Sequence, residues 1–504
     1  MVFPAQEGQK MNLIMKLVKT LLVLVVVIVI VAVVFVSVFD ANEYKPEIIA
    51  QVEQATGRDF SIDGDIGLTL YPWIGLKLEK TTLGNASGFS DRAFASLAQL
   101  NVKVNVLPLL KKRIEINKVQ LKGLQLSLEV DKNGNNNWSN LAQAGSATAP
   151  ASSATNTPTS EATGTDETTA SGSAEPAFQL DSLNVEGFEF VDARIGFTDG
   201  QSGVNATVSD LNLETGAIGF DEPVDVAFRA HVVNNQPALD SQINLTTQLS
   251  FNREFTLFDL RDLLLTVAVK ANDMVAQDVT LTVKTQVVAD LGQKLTTIRQ
   301  LNVNVLDINT RGDLRLSQQP NAPLVQGQVT VEPFNAREVA GKLGVTLPPM
   351  ASDKALTSVG LSTNIKLKGQ RLDLDNFNVQ LDSSVLAGWV RVLDLSKQRL
   401  RYSLLLDRID ANDYMPPAVE ESTASLPATP AGNNGAGTAA AASGDEKIEL
   451  PLEMLRGLDI QGDFAINALR VKDFDISDMS IATRAKQGVI ALDPVRLAVL
   501  DGKV

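Results

Sequence analysis

An apolar residue at every second position is the signal that recurs most often along this chain. Leu100, Val102, Val104 and Val106 are separated by Asn101, Lys103 and Asn105. Side chains alternate across a strand with period two, so the stretch reads as a strand with one apolar and one polar face. The pattern returns at Ile114 and Ile116, at Leu124, Leu126, Leu128 and Val130, and over residues 204–208, 243–251, 263–269, 279–287, 301–305, 325–331, 361–367, 372–381 and 400–406. Leu301, Val303 and Val305 share an apolar face, with Asn302 and Asn304 on the other. Helical signals are few. One comes after Pro46, with Ile48, Ile49, Val52 and Ala55 on one stripe and Gly57 as a left-handed stop, and it is expected to fold back on the segment C-terminal to it. Another spans residues 335–343 and closes at Gly344. The fold class is therefore mainly β.

So many half-apolar strands pose a covering problem. An apolar face is covered by helices, by another sheet, or by something that is not protein. Helices are too few here. Closed barrels or sandwiches would solve the problem within the chain, whereas a long, curled, groove-like sheet would leave its concave apolar face to something that is not protein. On the order of 25 strands at about 4.8 Å would extend roughly 120 Å.

Residues 21–39, LLVLVVVIVIVAVVFVSVF, stand apart: 19 residues without a charge, Pro or Gly. As a helix at about 1.5 Å per residue this run crosses the roughly 30 Å hydrocarbon layer. Lys10, Lys16 and Lys19 precede it, while Asp40, Glu43, Lys45 and Glu47 come after it. The positive-inside bias then keeps residues 1–20 in the cytoplasm and puts the bulk of the chain across the membrane. A cleaved signal peptide fits less well, because Val36, Ser37, Val38, Phe39 and Asp40 offer no small-x-small site. β-branched residues all round the run, with no polar face, argue against a buried soluble helix.

The formal net charge of −15 excludes nucleic acid as an expected partner. With no Cys and only His231, thiolate metal sites, most zinc sites and Ser-His-Asp catalysis fall away. In VDVAFRAHV, His231 shares the polar face of a strand with Asp225 and Arg229. Asp131-Lys132-Asn133-Gly134-Asn135 has the composition of a calcium loop but not its spacing, and reads as a hairpin turn. Lys111, Lys112 and Arg113 could meet anionic headgroups, with a solvated turn as the default. Asn85-Ala86-Ser87 fits a glycosylation acceptor. No catalytic, cofactor-binding or metal-ligating residues are expected, and an enzyme is not.

Residues 142–175 and 418–446 are low-complexity stretches that cannot bury enough apolar surface to offset their ordering entropy, and are expected to be disordered loops. They divide the chain after the 21–39 span into β-rich segments at 40–141, 176–417 and 447–504.

The blocks FSIDGDIGLTLYPWIGLKLEKTTLGNASGF, FASLAQLNVKVNVLPLL and INKVQLKGLQLSLEVDKNGNNNWSNL, in that order behind an anchor run, resemble the N-terminal region of the AsmA family of Gram-negative envelope proteins. PFNAREVAGKLGV, LDNFNVQLDSSVLAGWVRV and DRIDANDYMPP extend the resemblance over most of the chain. It implies a single-pass inner-membrane protein projecting into the periplasm, related to bridge-like lipid-transfer proteins. Its partners would be membrane lipids, the inner membrane, and outer-membrane or other inner-membrane proteins. The expected function is to bind and conduct lipid, phospholipid above all, toward the outer membrane, in support of outer-membrane biogenesis and integrity. The alternative is a β-rich scaffold that assists outer-membrane protein assembly without carrying lipid. Leu100, Val102, Val104, Val106, Leu301, Val303 and Val305 are the expected groove residues. The chain stops at Val504 in mid-strand, where family members continue, so it is expected to be a piece of a longer one.

Overall fold

The structure is a computed structural model that describes residues 40–69, 73–105, 115–139, 141, 184–271, 277–320, 322–397, 399–417, 459–487, 489–499 and 502–503. The 21–39 run, both low-complexity stretches, Val106 and the Lys111, Lys112 and Arg113 cluster lie outside the described residues. Among the described residues no helix is long and apolar enough to cross a membrane. The chain divides into two compact units, Met1–Asn272 and Asp273–Val504, at a boundary inside the 176–417 segment.

The first unit opens with a 3-10 turn, Ala41–Tyr44, capped by Asp40, whose carboxylate accepts the Asn42 N–H. Helix α1, Lys45–Thr56, starts with Pro46 in its first turn and ends at Gly57, whose φ of +66° suits a residue without Cβ. It folds back as its sequence suggests, and Ile49, Phe60 and Leu78 pack against a buried cluster of Ala41, Ile62 and Ile66. Thirteen strands come next: β1 (Phe60–Ile62), β2 (Ile66–Thr69), β3 (Trp73–Leu83), β4 (Ala95–Asn105), β5 (Glu115–Ile116), β6 (Val119–Lys122), β7 (Gln125–Val130), β8 (Asn184–Val185), β9 (Phe188–Asp199), β10 (Asn205–Thr215), β11 (Val224–Asn235), β12 (Ala238–Phe251) and β13 (Leu257–Val269). Pairing is antiparallel throughout this unit, except where β5, β6 and β7 meet β8 and β9 in parallel.

The second unit repeats this plan. It comprises β14 (Val279–Asp290), β15 (Leu295–Val305), β16 (Ile308–Gln318), β17 (Pro323–Phe334), α2 (Ala336–Lys342), β18 (Val359–Lys368), β19 (Arg371–Leu381), β20 (Ser384–Asp394), β21 (Arg399–Asp410), β22 (Asp459–Val471), β23 (Phe474–Lys486), β24 (Val489–Val499) and β25 (Gly502–Lys503). Neighbours from β14 to β21 are antiparallel, and β21 and β22 are parallel. Antiparallel neighbours need only a short turn, whereas parallel ones need a crossover that returns the chain to the start of the strand. Each parallel join falls where a low-complexity stretch separates the partner strands in sequence. The mainly β class holds, with few helices.

Many strands run through a β-bulge in their middle. Between β12 and β13 the register shifts beside Thr247, between β14 and β15 beside Thr285, and between β18 and β19 beside Thr363. The extra residue in each case has positive φ: Asp262 (+49°), Gln300 (+52°) and Asn376 (+51°). Asp and Asn tolerate this left-handed region better than other side chains with a Cβ. Each threonine is buried, and its hydroxyl donates to the carbonyl just before the bulge: Thr247 to Arg261 at 2.8 Å, Thr285 to Arg299 at 3.0 Å, and Thr363 to Asp375 at 3.2 Å. The bulge also repairs the apolar pattern. Leu260 and Leu263, Ile298 and Leu301, and Leu374 and Phe377 are three apart, and the inserted residue keeps each pair on one face.

Among the described residues few apolar side chains are buried. Outside the Ala41, Ile62 and Ile66 cluster, those that are, such as Ala193, Val224, Ala230, Leu406 and Ile466, are spread along the strands.

Candidate functional site

Strand register aligns the apolar residues into rows that cross each unit. In the first unit, hydrogen-bonded pairing carries one row through Ile66, Leu78, Leu100, Leu121, Phe190, Leu213, Phe228, Leu245 and Leu265. No residue of this row is polar. In the second unit a row runs through Val283, Val303, Thr310, Val331, Leu361, Val379, Leu386, Leu406, Ile466 and Met479. A parallel row beyond the bulges includes Val287, Ile298, Leu314, Gly327, Ile365, Leu374 and Val390. Gly327 is there because of close approach: a Cβ on it would collide with the Asp313 carbonyl oxygen.

The opposite face is polar. Lys284, Asn302, Arg311, Thr330, Ser362 and Asn378 stand in register on it. Side-chain bonds run across strands there, such as Asn304 Nδ2 to Asn309 Oδ1 at 2.8 Å and Arg311 to Glu332 at 2.6 Å.

Of the expected groove residues, Leu100, Val102 and Val104 lie on β4 opposite Leu78, Leu76 and Ile74, and Val106 is outside the described residues. Leu301, Val303 and Val305 lie on β15 opposite Gly312, Thr310 and Ile308. The two sets belong to different units. All six described residues are half-buried, and none is sealed from solvent.

His231 lies on the polar face as its strand pattern implies. Its Nε2 is 2.8 Å from Asp240 Oδ1, and its Nδ1 is 3.5 Å from Ser209 Oγ. Asp240 also accepts from Lys270 Nζ at 2.7 Å, and Lys270 and then His231 hold its carboxyl below the usual carboxylate range. These contacts tie neighbouring strands together. Asp131 accepts the N–H groups of Asn133 and Asn135 at 2.7 and 2.8 Å, and Val130 bridges Asn136, so DKNGN is a turn.

Two polar knots were not evident in the sequence. In the first, Asn137 is fully buried and its side chain closes three bonds: it accepts from Glu129 N at 2.9 Å and donates to Ser127 O at 2.8 Å and Asn85 Oδ1 at 2.9 Å. Its carbonyl accepts from Arg58 Nη2 at 2.5 Å, and the Arg58 guanidinium lies 4.5 Å from the Phe94 ring centroid. Burial pushes the Arg58 guanidinium pKa down. Asn85, the residue that fits a glycosylation acceptor, is thus bound into this knot.

The second knot, at Asp382, joins the LDNFNVQLDSSVLAGWVRV and DRIDANDYMPP blocks to residues 356–358. Its carboxylate accepts the N–H groups of Leu356, Thr357 and Ser358 at 2.8, 2.8 and 2.9 Å, and the Tyr414 hydroxyl at 2.6 Å. Burial alone would raise the Asp382 pKa, but these donors outweigh it and leave the carboxyl below its usual range. Burial, then the bond to Asp382, pushes the Tyr414 hydroxyl up. A depressed folded-state pKa gives stability that is present above the unfolded value, near pH 4, and is lost as pH falls through the folded one. Asp382→Asn is therefore expected to lower the melting temperature at pH 7 and to lose this deficit as acid protonates the wild-type carboxyl. An equal deficit at pH 7 and in strong acid would contradict this assignment.

Among the described residues no group of three or more His, Cys, Asp or Glu side chains is placed to hold a metal ion. The arrangement offers apolar surface instead, continuous from strand to strand. No curated protein and no solved structure matches this chain. A family model, that of the AsmA family, matches residues 11–504, nearly the whole length, and the chain belongs to the AsmA family.

Proposed function

We propose that this protein binds lipid acyl chains along its apolar rows and conducts them away from the inner membrane through the periplasm, toward the outer membrane. The carrying observation is that the rows continue over nine or ten strands while their members, apart from the buried Ile66, Leu406 and Ile466, remain only half-buried. In a sandwich or a closed barrel core such residues would be shielded from water. A bound chain would remove apolar surface from water at roughly 25 cal/mol per Å² without demanding a covering layer of protein. Family membership and the 21–39 run support the envelope setting: one anchor helix, residues 1–20 in the cytoplasm and the bulk of the chain in the periplasm. The role needs no catalytic residue and no cofactor.

The test is lipid extraction from the full-length chain purified from membranes in a mild detergent. Stoichiometric phospholipid that survives detergent exchange is expected. Lipid-free protein with intact secondary structure would overturn the reading and leave the scaffold role.

A further inference from the structure

The first apolar row does not begin in the open. Its first member, Ile66, is buried, and so is Ile62 beside it, under the 3-10 turn and α1. Yet no residue of α1 itself is buried, and Tyr44 and Ile48 are 52% and 39% exposed. Ala41 in the turn and Ile49 in α1 supply the apolar contacts to Ile62 and Ile66, and polar ties add to them. Asn42 Oδ1 accepts the Ile66 N–H at 2.9 Å, Glu53 Oε1 accepts the Phe60 N–H at 3.1 Å, and Lys45 lies 3.7 Å from Asp65.

The two sides of Gly57 differ sharply. Arg58 is fixed by Asn137 and Phe94, whereas Gly57, at φ +66°, has open space where a Cβ would stand. A change of backbone angle at Gly57 would swing α1 without disturbing the buried knot behind it. The other end of α1 leads within a few residues to the 21–39 run.

We infer that α1 is a lid over the start of the apolar row, hinged at Gly57, and that an acyl chain enters at this end of the row when the lid lifts. This rests on the lipid-carrying function proposed for the rows. The entry point is then the surface formed by Ile62, Ile66 and Leu78, adjoining the bilayer from which the chain emerges.

The chain has no Cys, so Lys45→Cys with Asp65→Cys supplies the only thiols for a short bis-maleimide cross-link. The experiment uses the full-length double variant in vesicles of phosphatidylethanolamine and phosphatidylglycerol, and follows uptake of labelled lipid before and after cross-linking. Cross-linking is expected to slow loading about tenfold, because only a lifted lid is competent, while lipid loaded beforehand is retained. Loading at an unchanged rate after complete cross-linking would overturn the lid and leave the lipid reading standing. Failure of the uncross-linked and wild-type chains to take up any lipid would overturn both.

Discussion

Val303→Asp is expected to leave the protein folded and to reduce its bound lipid to less than about a tenth, since an unpartnered carboxylate among acyl chains costs several kcal/mol or must protonate. Val303 is the β15 member of the ten-strand row, between Val283 and Thr310. Because it is half-buried, an aspartate there reaches water whenever lipid is absent. In a sealed core the same change would unfold the protein. Asn302→Asp is the matched control, one residue away on the polar face, with Lys284 and Arg311 as its cross-strand neighbours. Asn304 would serve less well, because its amide donates to Asn309. The check pairs thermal unfolding with lipid content for both variants. A folded Val303→Asp protein with wild-type lipid would remove this face from the path.

The second large effect is on stability. Asn137→Ala leaves the Glu129 N–H, the Ser127 carbonyl and the Asn85 amide oxygen without their partner in a fully buried place. A loss of about 3 kcal/mol is expected, from unsatisfied buried groups at roughly 1–3 kcal/mol each with partial relaxation. For a unit of this size that is a fall of roughly 6–12 °C in melting temperature. Lipid binding by the second unit's row should survive below the new midpoint. Unfolding within about 2 °C of wild type would show that water replaces the amide and that the knot is not structural.

Period-two alternation made the strands legible, because a half-buried strand writes its two faces into the sequence one residue at a time. The helix over Lys45–Thr56 was equally plain, with Pro46 opening it and Gly57 closing it. The bulges, by contrast, were concealed by the alternation itself. Its period sets in at Leu263 and Leu301, yet β13 begins at Leu257 and β15 at Leu295. The apolar positions stand three apart across Asp262 and Gln300, which breaks the period at the point where the backbone inserts a residue. A three-residue spacing with Asp, Asn or Gln just before the second apolar residue was the available signal. The knots were less accessible still. Arg58 and Asn137 are 79 residues apart and Asp382 and Tyr414 are 32 apart, and nothing local in either pair announces its partner. The polar residues of the family-like blocks at Asn137, Asp382 and Tyr414 hold the strands together, while the proposed path consists mostly of apolar residues that look ordinary in sequence.

The central claim is that one face of each strand, and not the other, meets acyl chains. A photoreactive amino acid placed in turn at 301, 302, 303, 304 and 305 in living cells, with mass analysis of the irradiated protein, tests it most directly. Lipid adducts at 301, 303 and 305, with little at 302 and 304, are the predicted result; equal capture at all five positions, or none at any, would contradict the account.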